Sequence, residues 1–158
     1  MTEKIKVGIL GATGTVGQRF IQLLENHPWF EVGDIAASDR SQGKPYHQAC
    51  FWKISGPMPQ YIRDFVVKDC IPELNCSLVF SGLPSSVAGE VESLFAQAGY
   101  PVLSNSKNHR MDEDVPLLVP EINHEHLQLL AARRRPCLAV ALLRLRRRPL
   151  GQSGAAPG

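Results

Sequence analysis

The sequence has no Cys-x-x-Cys pair among its four cysteines (Cys50, Cys70, Cys76 and Cys137), and His124 and His126 are its only close histidine pair. A lone His-x-His falls short of the four-ligand spacing of a structural zinc, so no metal site is expected. Unpaired thiols fit a reducing cytosol and argue against a disulfide-stapled secreted fold. No apolar run approaches the roughly 18 residues that a membrane helix needs. The opening Met1-Thr2-Glu3-Lys4 leads into an alternating segment and not into the apolar stretch of a signal peptide. A cytoplasmic chain with no membrane partner is the expectation. Aromatic residues are 7% and charged residues 20% of the chain, but 44% is hydrophobic, which excludes a disordered or fibrous class and leaves one globular domain.

Acidic residues are missing from one region altogether. Residues 1–130 hold 10 Lys and Arg and all 15 Asp and Glu, whereas residues 131–158 hold 7 Arg and no acid. Such asymmetry can mark a nucleic-acid arm. Here no base-reading residues interleave among the arginines, so no nucleic-acid partner is expected. Lys, Ile, Phe, Tyr, Trp, Asn and Thr are also absent after residue 130, while Ala, Arg, Pro and Gly are enriched. All four have GC-rich codons, the composition that a shifted reading frame or a retained intron would produce. The expected organisation is a folded domain over residues 1–130 and a disordered tail over 131–158.

What is present is a repeated alternation of strand and helix. Lys4 to Leu10 alternates and then turns apolar, as a strand entering a buried sheet does. Gly11-Ala12-Thr13-Gly14 interrupts it, and Val16, Phe20, Leu23 and Leu24 then recur at helical spacing until Pro28. Val32 to Ser38 reads as a second strand, completing a βαβ unit, which demands a parallel sheet. Arg40 to Tyr61 has no clean period and reads as a long insert with one short strand at most. Phe65 to Val67, Ser77 to Phe80, Pro101 to Ser104 and Leu117 to Val119 bring the total to about six strands. Ser85 is expected to cap a helix that turns Val87, Val91, Leu94, Phe95 and Ala98 inward and ends at Gly99, and Asn123 to cap a last helix. These elements predict a doubly wound, mostly parallel α/β sheet of the Rossmann type.

Gly11, Thr13, Gly14, Thr15, Val16 and Gly17 lie in a GxxGxxG turn between the first strand and the first helix. Glycine allows the tight turn and lets backbone approach a phosphate, and the helix N-terminus offers N–H groups and a positive dipole end. The bland alternative is a structural turn with no ligand; placement straight after the first strand favours a dinucleotide. At the end of the second strand an acid would hold the ribose of NAD and repel a 2′-phosphate. The sequence there is Ser38-Asp39-Arg40-Ser41, followed by Lys44. Two hydroxyls and a guanidinium suit a phosphate, so NADP is the expected cofactor. Asp39 is the dissenting residue, and turned inward it would favour NAD.

Three further segments bring in a family. Ser81-Gly82-Leu83-Pro84 follows a strand directly, and Ser104-Asn105-Ser106-Lys107-Asn108-His109-Arg110 precedes the run Val115 to Asn123, VPLLVPEIN. Together with GATGTVGQRF and ASDRSQGKPY, this series over residues 4 to 130 closely resembles aspartate-semialdehyde dehydrogenase of the archaeal and fungal branch. The resemblance implies that Gly11 to Gly17 bind a pyrophosphate, Ser38, Arg40 and Ser41 the 2′-phosphate, and Ser81 and Gly82 the adenosine region. It implies that Arg110, with Asn105 beside it, binds the phosphate of an acyl-phosphate substrate, and that Glu121 and Asn123 approach the nicotinamide. It further implies NADPH-dependent conversion of aspartyl phosphate to the semialdehyde, and a homo-oligomer. The family's cysteine nucleophile sits in an Asn-Cys-Ser/Thr turn beyond the VPLLVPEIN run, and its histidine base lies further on. Pro136-Cys137-Leu138 stands near that distance but lacks the flanking residues, so no catalytic residue is assigned and the chain alone is expected to be inactive. Acylglutamyl-phosphate and malonyl-CoA reductases share the glycine-rich half and remain alternatives, as does a non-catalytic NADP-binding fragment.

Overall fold

The structure, a computed structural model, describes residues 3–113, 115–123, 125, 128 and 138–141. Six strands form one sheet: β1 (Ile5–Leu10), β2 (Phe30–Ala36), β3 (Leu78–Ser81), β4 (Val102–Ser104), β5 (Leu117–Leu118) and β6 (Leu138–Ala141). Their spatial order is β2-β1-β3-β4-β6-β5, and every pairing is parallel. The helices are α1 (Thr15–Leu24), α2 (Tyr46–Ala49), α3 (Ser85–Gln97) and α4 (Pro120–Asn123). The chain steps from β1 to one side for β2 and then to the other side for β3. The crevice at the carboxyl ends of β1 and β3 is therefore the switch point where doubly wound sheets bind ligands.

Two helices close the two faces of the sheet. Val7 and Ile9 pack with Phe20, Ile21 and Leu24 of α1, whereas Leu10 and Val79 pack with Phe95 of α3. The strand period of two sends alternate side chains of β1 to opposite faces, so one short strand seeds both cores. Phe20 and Leu24 face inward as the helical spacing predicts, but Leu23 is 46% exposed and Ile21 takes the buried place, and Gly17 and Gln18 extend the stripe toward the N-terminus.

The register of α3 differs from the expectation. Pro84, not Ser85, occupies the N-cap, and no side chain caps it. The inward positions are Ala88, Glu92 and Phe95, while Val87 and Leu94 are exposed by 45% and 44% and Ala98 is also exposed. Hydrophobicity alone misplaced the stripe because its central buried residue is a carboxylate. The C-terminus behaves as read: Gly99 N–H donates to Ala96 O at 3.2 Å and Tyr100 N–H to Phe95 O at 3.0 Å. Those two bonds are the Schellman pattern, completed by the Phe95 and Tyr100 rings 5.3 Å apart.

Two strands were placed differently by the sequence. Phe65 to Val67 is not a named strand: Val66 makes an isolated antiparallel bridge to Pro45, and neighbouring Lys68 a parallel bridge to Ala36. The sixth strand instead comes from Leu138-Ala139-Val140-Ala141, which pairs with β4 on one side and β5 on the other. These four residues are apolar and lie in the span read as a tail. The helix expected beyond Asn123, and the remainder of 131–158, fall outside the described residues. Among those described, no helix is long and apolar enough to cross a membrane.

Glu92 explains how α3 is held to the sheet. Its side chain is fully buried, and Oε1 accepts hydrogen bonds from Ser81 Oγ at 2.5 Å and Ser104 Oγ at 2.7 Å. Those serines end β3 and β4, so one carboxylate ties the helix to two strand tips. His109 Nε2 stands 3.8 Å from the other oxygen, Oε2, which has no hydrogen-bond partner among the described residues. Removing one member of a buried polar cluster leaves the others unsatisfied. Glu92→Ala is expected to cost about 3–5 kcal/mol of stability in urea unfolding, against less than about 0.5 kcal/mol for the exposed neighbour Glu90→Ala. Equal midpoints for the two variants would remove Glu92 from this role.

Candidate functional site

The turns that leave β1 and β3 lie in contact. Gly82 N–H donates to Leu10 O at 2.9 Å, and Gly11 and Ala12 N–H both donate to Ala36 O, at 2.9 and 3.0 Å. Gly11 takes a φ of +74°, where a Cβ would also stand 2.9 Å from Gly82 O. A Cβ on Gly17 would stand 2.3 Å from Gly11 O, and one on Gly82 2.9 Å from Gly17 N. Three of the glycines are therefore required by backbone-to-backbone approach, the geometry that brings a helix N-terminus against a strand end.

Over these turns opens a cavity of about 660 Å³. Gly11, Thr13 and Gly14 form its floor, Ser38 and Asp39 line it just beyond β2, Gly82 from the turn after β3, and Val87 and Val91 from α3. Asp69, Cys70 and Ile71 also line it, a wall that the sequence reading did not anticipate. Their segment runs beside β2, where Lys68 N–H donates to Ile35 O and Ala37 N–H to Lys68 O. A second cavity of about 370 Å³ shares the Gly82–Pro84 turn. It is lined by Val16 from α1 and by Asn105, Ser106, Lys107 and Arg110 from the loop after β4.

The residues singled out in the sequence fall unevenly over this surface. Gly11, Thr13, Gly14 and Gly82 line the larger cavity, Val16 and Gly82 the smaller, and Thr15 and Gly17 sit in the first turn of α1. Ser38 faces the larger cavity and Arg40 is exposed, with Lys44 Nζ donating to its carbonyl at 2.9 Å. Ser41 is buried, and its N–H donates to Ser38 O at 2.8 Å, so it shapes the turn from below. Asp39 lines the cavity together with Ser38. Ser81 is fully buried, and its hydroxyl is committed to Glu92.

Asn105 and Arg110 come together in the smaller cavity. Arg110 Nε donates to Ser106 O at 3.2 Å and Nη2 to Asn105 O at 3.3 Å. The guanidinium is thus pinned to its own loop by one edge, which leaves Nη1 and a full positive charge for an anion, with Lys107 alongside. Asn123 bridges β5 and α4, its Oδ1 accepting from Val119 N–H at 2.7 Å and its Nδ2 donating to Leu117 O at 2.8 Å. Nothing is described of the Glu121 side chain.

No thiol among the described residues is placed to act as a nucleophile. Burial pushes the Cys50 and Cys70 thiols up, and pushes that of Cys76 up to about 11. Asn75-Cys76-Ser77 does spell the tripeptide expected around the family's nucleophile, but it runs into β3 and not into a helix. Cys76 Sγ packs against Gly8 of β1. Cys137 lies outside the described residues. Among those described, no group of three or more His, Cys, Asp or Glu could hold a metal ion.

Comparison with known proteins agrees with this geometry. Residues 6–130 match the family model described as semialdehyde dehydrogenase, NAD binding domain. The chain is 51% identical to an aspartate-semialdehyde dehydrogenase of Candida albicans over 127 residues, which are 78% of this chain and 35% of that protein. It is 46% identical to the Archaeoglobus fulgidus enzyme of the same name over 84% of this chain and 39% of the relative. The crystal structure of the Candida albicans enzyme with NADP superposes with a TM-score of 0.80 at 44% identity, covering 88% of this chain and 42% of that one. The chain thus spans well under half the length of the relatives it matches. With the glycine-rich turns, the switch-point crevice and a family model that covers most of its length, this chain belongs to the semialdehyde dehydrogenase family and carries that family's NAD-binding domain.

Proposed function

We propose that residues 6–130 are the NADP-binding part of an aspartate-semialdehyde dehydrogenase, acting in the cytoplasm within a homo-oligomer. The observation that carries the proposal is the 660 Å³ cavity at the β1 and β3 carboxyl ends, floored by the glycine-rich turn and the start of α1. A helix of ten residues presents its first-turn N–H groups and the positive end of its dipole there, which suits a pyrophosphate. Backbone packed too closely for any Cβ at Gly17 or Gly82 keeps that approach open.

The larger cavity would hold the adenosine and pyrophosphate, and the nicotinamide end would reach toward the smaller one across the Gly82–Pro84 turn that both share. When bound, the cofactor supplies a hydride for reduction of an acyl group. The chain's own contribution is placement. Arg110 and Lys107 attract an anionic substrate group to the smaller cavity, and Asn105 adds a donor beside them. The Candida albicans relative was crystallised with NADP, and a Vibrio cholerae relative at 26% identity and a TM-score of 0.65 in complex with ASA. Both support a dinucleotide and a small-molecule substrate at this surface.

Ser38 and Arg40 support NADP over NAD, with Arg40 exposed beside the cavity where a 2′-phosphate would project. Asp39 at the same wall opposes a phosphate, so the guanidinium must outweigh it. Replacing Arg40 by Ala is expected to weaken NADPH by about 1.5–3 kcal/mol, the scale of a charged hydrogen bond, and to leave NADH nearly unchanged. Calorimetry that finds equal losses for both cofactors would contradict the 2′-phosphate assignment.

Acyl reduction in this family's manner also needs a thiolate and a base. A thiol whose pKa rises from 9.0 to about 11, as in Cys76, holds about a hundredfold less thiolate at neutral pH than an ordinary one. The 158-residue chain alone is therefore expected to show no NADPH formation from semialdehyde, phosphate and NADP, followed by absorbance. Turnover above the enzyme-free control that vanishes in Cys137→Ala would overturn this.

A further inference from the structure

Two buried side chains hold the glycine-rich turn from behind, and neither was singled out by the sequence motif. Tyr46, fully buried at the start of α2, donates its hydroxyl to Ala12 O at 2.7 Å. Gln18, also fully buried, donates through Nε2 to Thr13 O at 2.9 Å and to Phe51 O at 3.1 Å. Its Oε1 accepts from Lys53 N–H at 2.7 Å. The segment 44–53 is thereby fastened to the back of the turn, and its own position is set where Tyr46 N–H donates to Phe65 O at 2.8 Å.

A trans peptide is planar, with its C=O and N–H pointing in opposite directions. When the Tyr46 hydroxyl fixes Ala12 O toward the interior, the N–H of the same peptide, on Thr13, must point outward. Thr13 lines the 660 Å³ cavity, and no acceptor among the described residues takes its N–H. The next peptide is held by Gln18 in the same sense at Thr13 O, while Gly14 N–H is used internally by Gly11 O at 3.0 Å. Of the two peptides so braced, one is left with a donor that the fold does not consume, and it faces the cavity. Unpaired backbone N–H groups are rare unless a ligand or water completes them.

We infer that Tyr46 is a positioning residue for anion binding: its hydroxyl sets the Ala12–Thr13 peptide so that the Thr13 N–H is presented to the pyrophosphate. The role rests on the dinucleotide reading above and adds to it the tyrosine that ends ASDRSQGKPY, a residue to which the sequence assigned no role. Burial pushes the Tyr46 phenol well above its ordinary range, so it stays a donor at every pH at which the chain is handled.

The test compares two tyrosines in the full 158-residue chain. Tyr61 also donates its hydroxyl to a backbone carbonyl, Ile21 O at 2.7 Å, but that carbonyl is in the middle of α1 and away from the cavity. Tyr46→Phe is expected to raise the NADPH dissociation constant about tenfold, the worth of one hydrogen bond, and Tyr61→Phe to change it by less than about twofold. Adenosine 2′-phosphate, which lacks the pyrophosphate, should bind Tyr46→Phe as it binds the parent. Equal losses in both variants, or a loss for adenosine 2′-phosphate as large as for NADPH, would mean a merely structural hydroxyl and overturn the inference. On the parent chain, NADPH should move the Thr13 amide proton downfield in nitrogen-15 correlated spectra; an unmoved resonance with NADPH bound would overturn it without any variant. A parent chain that binds no NADPH at all would instead overturn the dinucleotide reading itself.

Discussion

Leu10 O accepts the Gly82 N–H at 2.9 Å, and around that bond the turns after β1 and β3 are packed backbone to backbone. Side chains are excluded there: any Cβ at Gly11, Gly17 or Gly82 would stand 2.3 to 2.9 Å from main-chain atoms of its neighbours. The start of α1 is therefore locked between two strand ends, and its unconsumed N–H groups face the crevice that the strand order opens. The second cavity, which Gly82 also lines, takes its position from that contact.

The rest of the domain can be understood as support for it. On one side of the sheet Tyr46 and Gln18 brace the carbonyls of the turn from behind. On the other, Glu92 gathers the serines that end β3 and β4, and Ser104 Oγ in turn accepts Ser106 N–H at 2.9 Å. Ser106 O and Asn105 O then hold the Arg110 guanidinium. A continuous chain of bonds thus runs from a buried carboxylate on α3 to the guanidinium that lines the second cavity. Both braces are buried polar groups with specific partners, which fix geometry more than they add stability.

Much of this was legible in the sequence, and what was not has a physical reason. Strand, glycine turn and helix could be read because periodicity and glycine spacing are local properties, and the parallel sheet followed from the βαβ order. Residues 4–130 could be matched to a family because GATGTVGQRF, SNSKNHR and VPLLVPEIN occur in order. Tyr46, Gln18 and Glu92 carry little signal in the sequence because each is fixed by a partner distant along the chain: Ala12 for Tyr46, Phe51 and Lys53 for Gln18, and Ser81 for Glu92. Glu92 offered one local clue, a carboxylate three positions before Phe95 on a helix that must bury one face. Ser81 was read as a cofactor contact from its place after a strand, yet the period of two in β3 turns its side chain into the interior, toward α3. The sixth strand was misplaced because Leu138 to Ala141 stands within an arginine-rich composition that obscured a short apolar run.

Everything above turns on whether the glycine-rich turn and the start of α1 receive a pyrophosphate in the switch-point crevice. A crystal structure of the chain grown with NADP tests it directly. The expected result is a pyrophosphate oxygen about 2.7–3.2 Å from Thr13 N, with the adenosine along Ser38 and the nicotinamide end directed toward Arg110. A dinucleotide bound elsewhere, or lying in the crevice with its phosphates away from Thr13 and the first turn of α1, would contradict it.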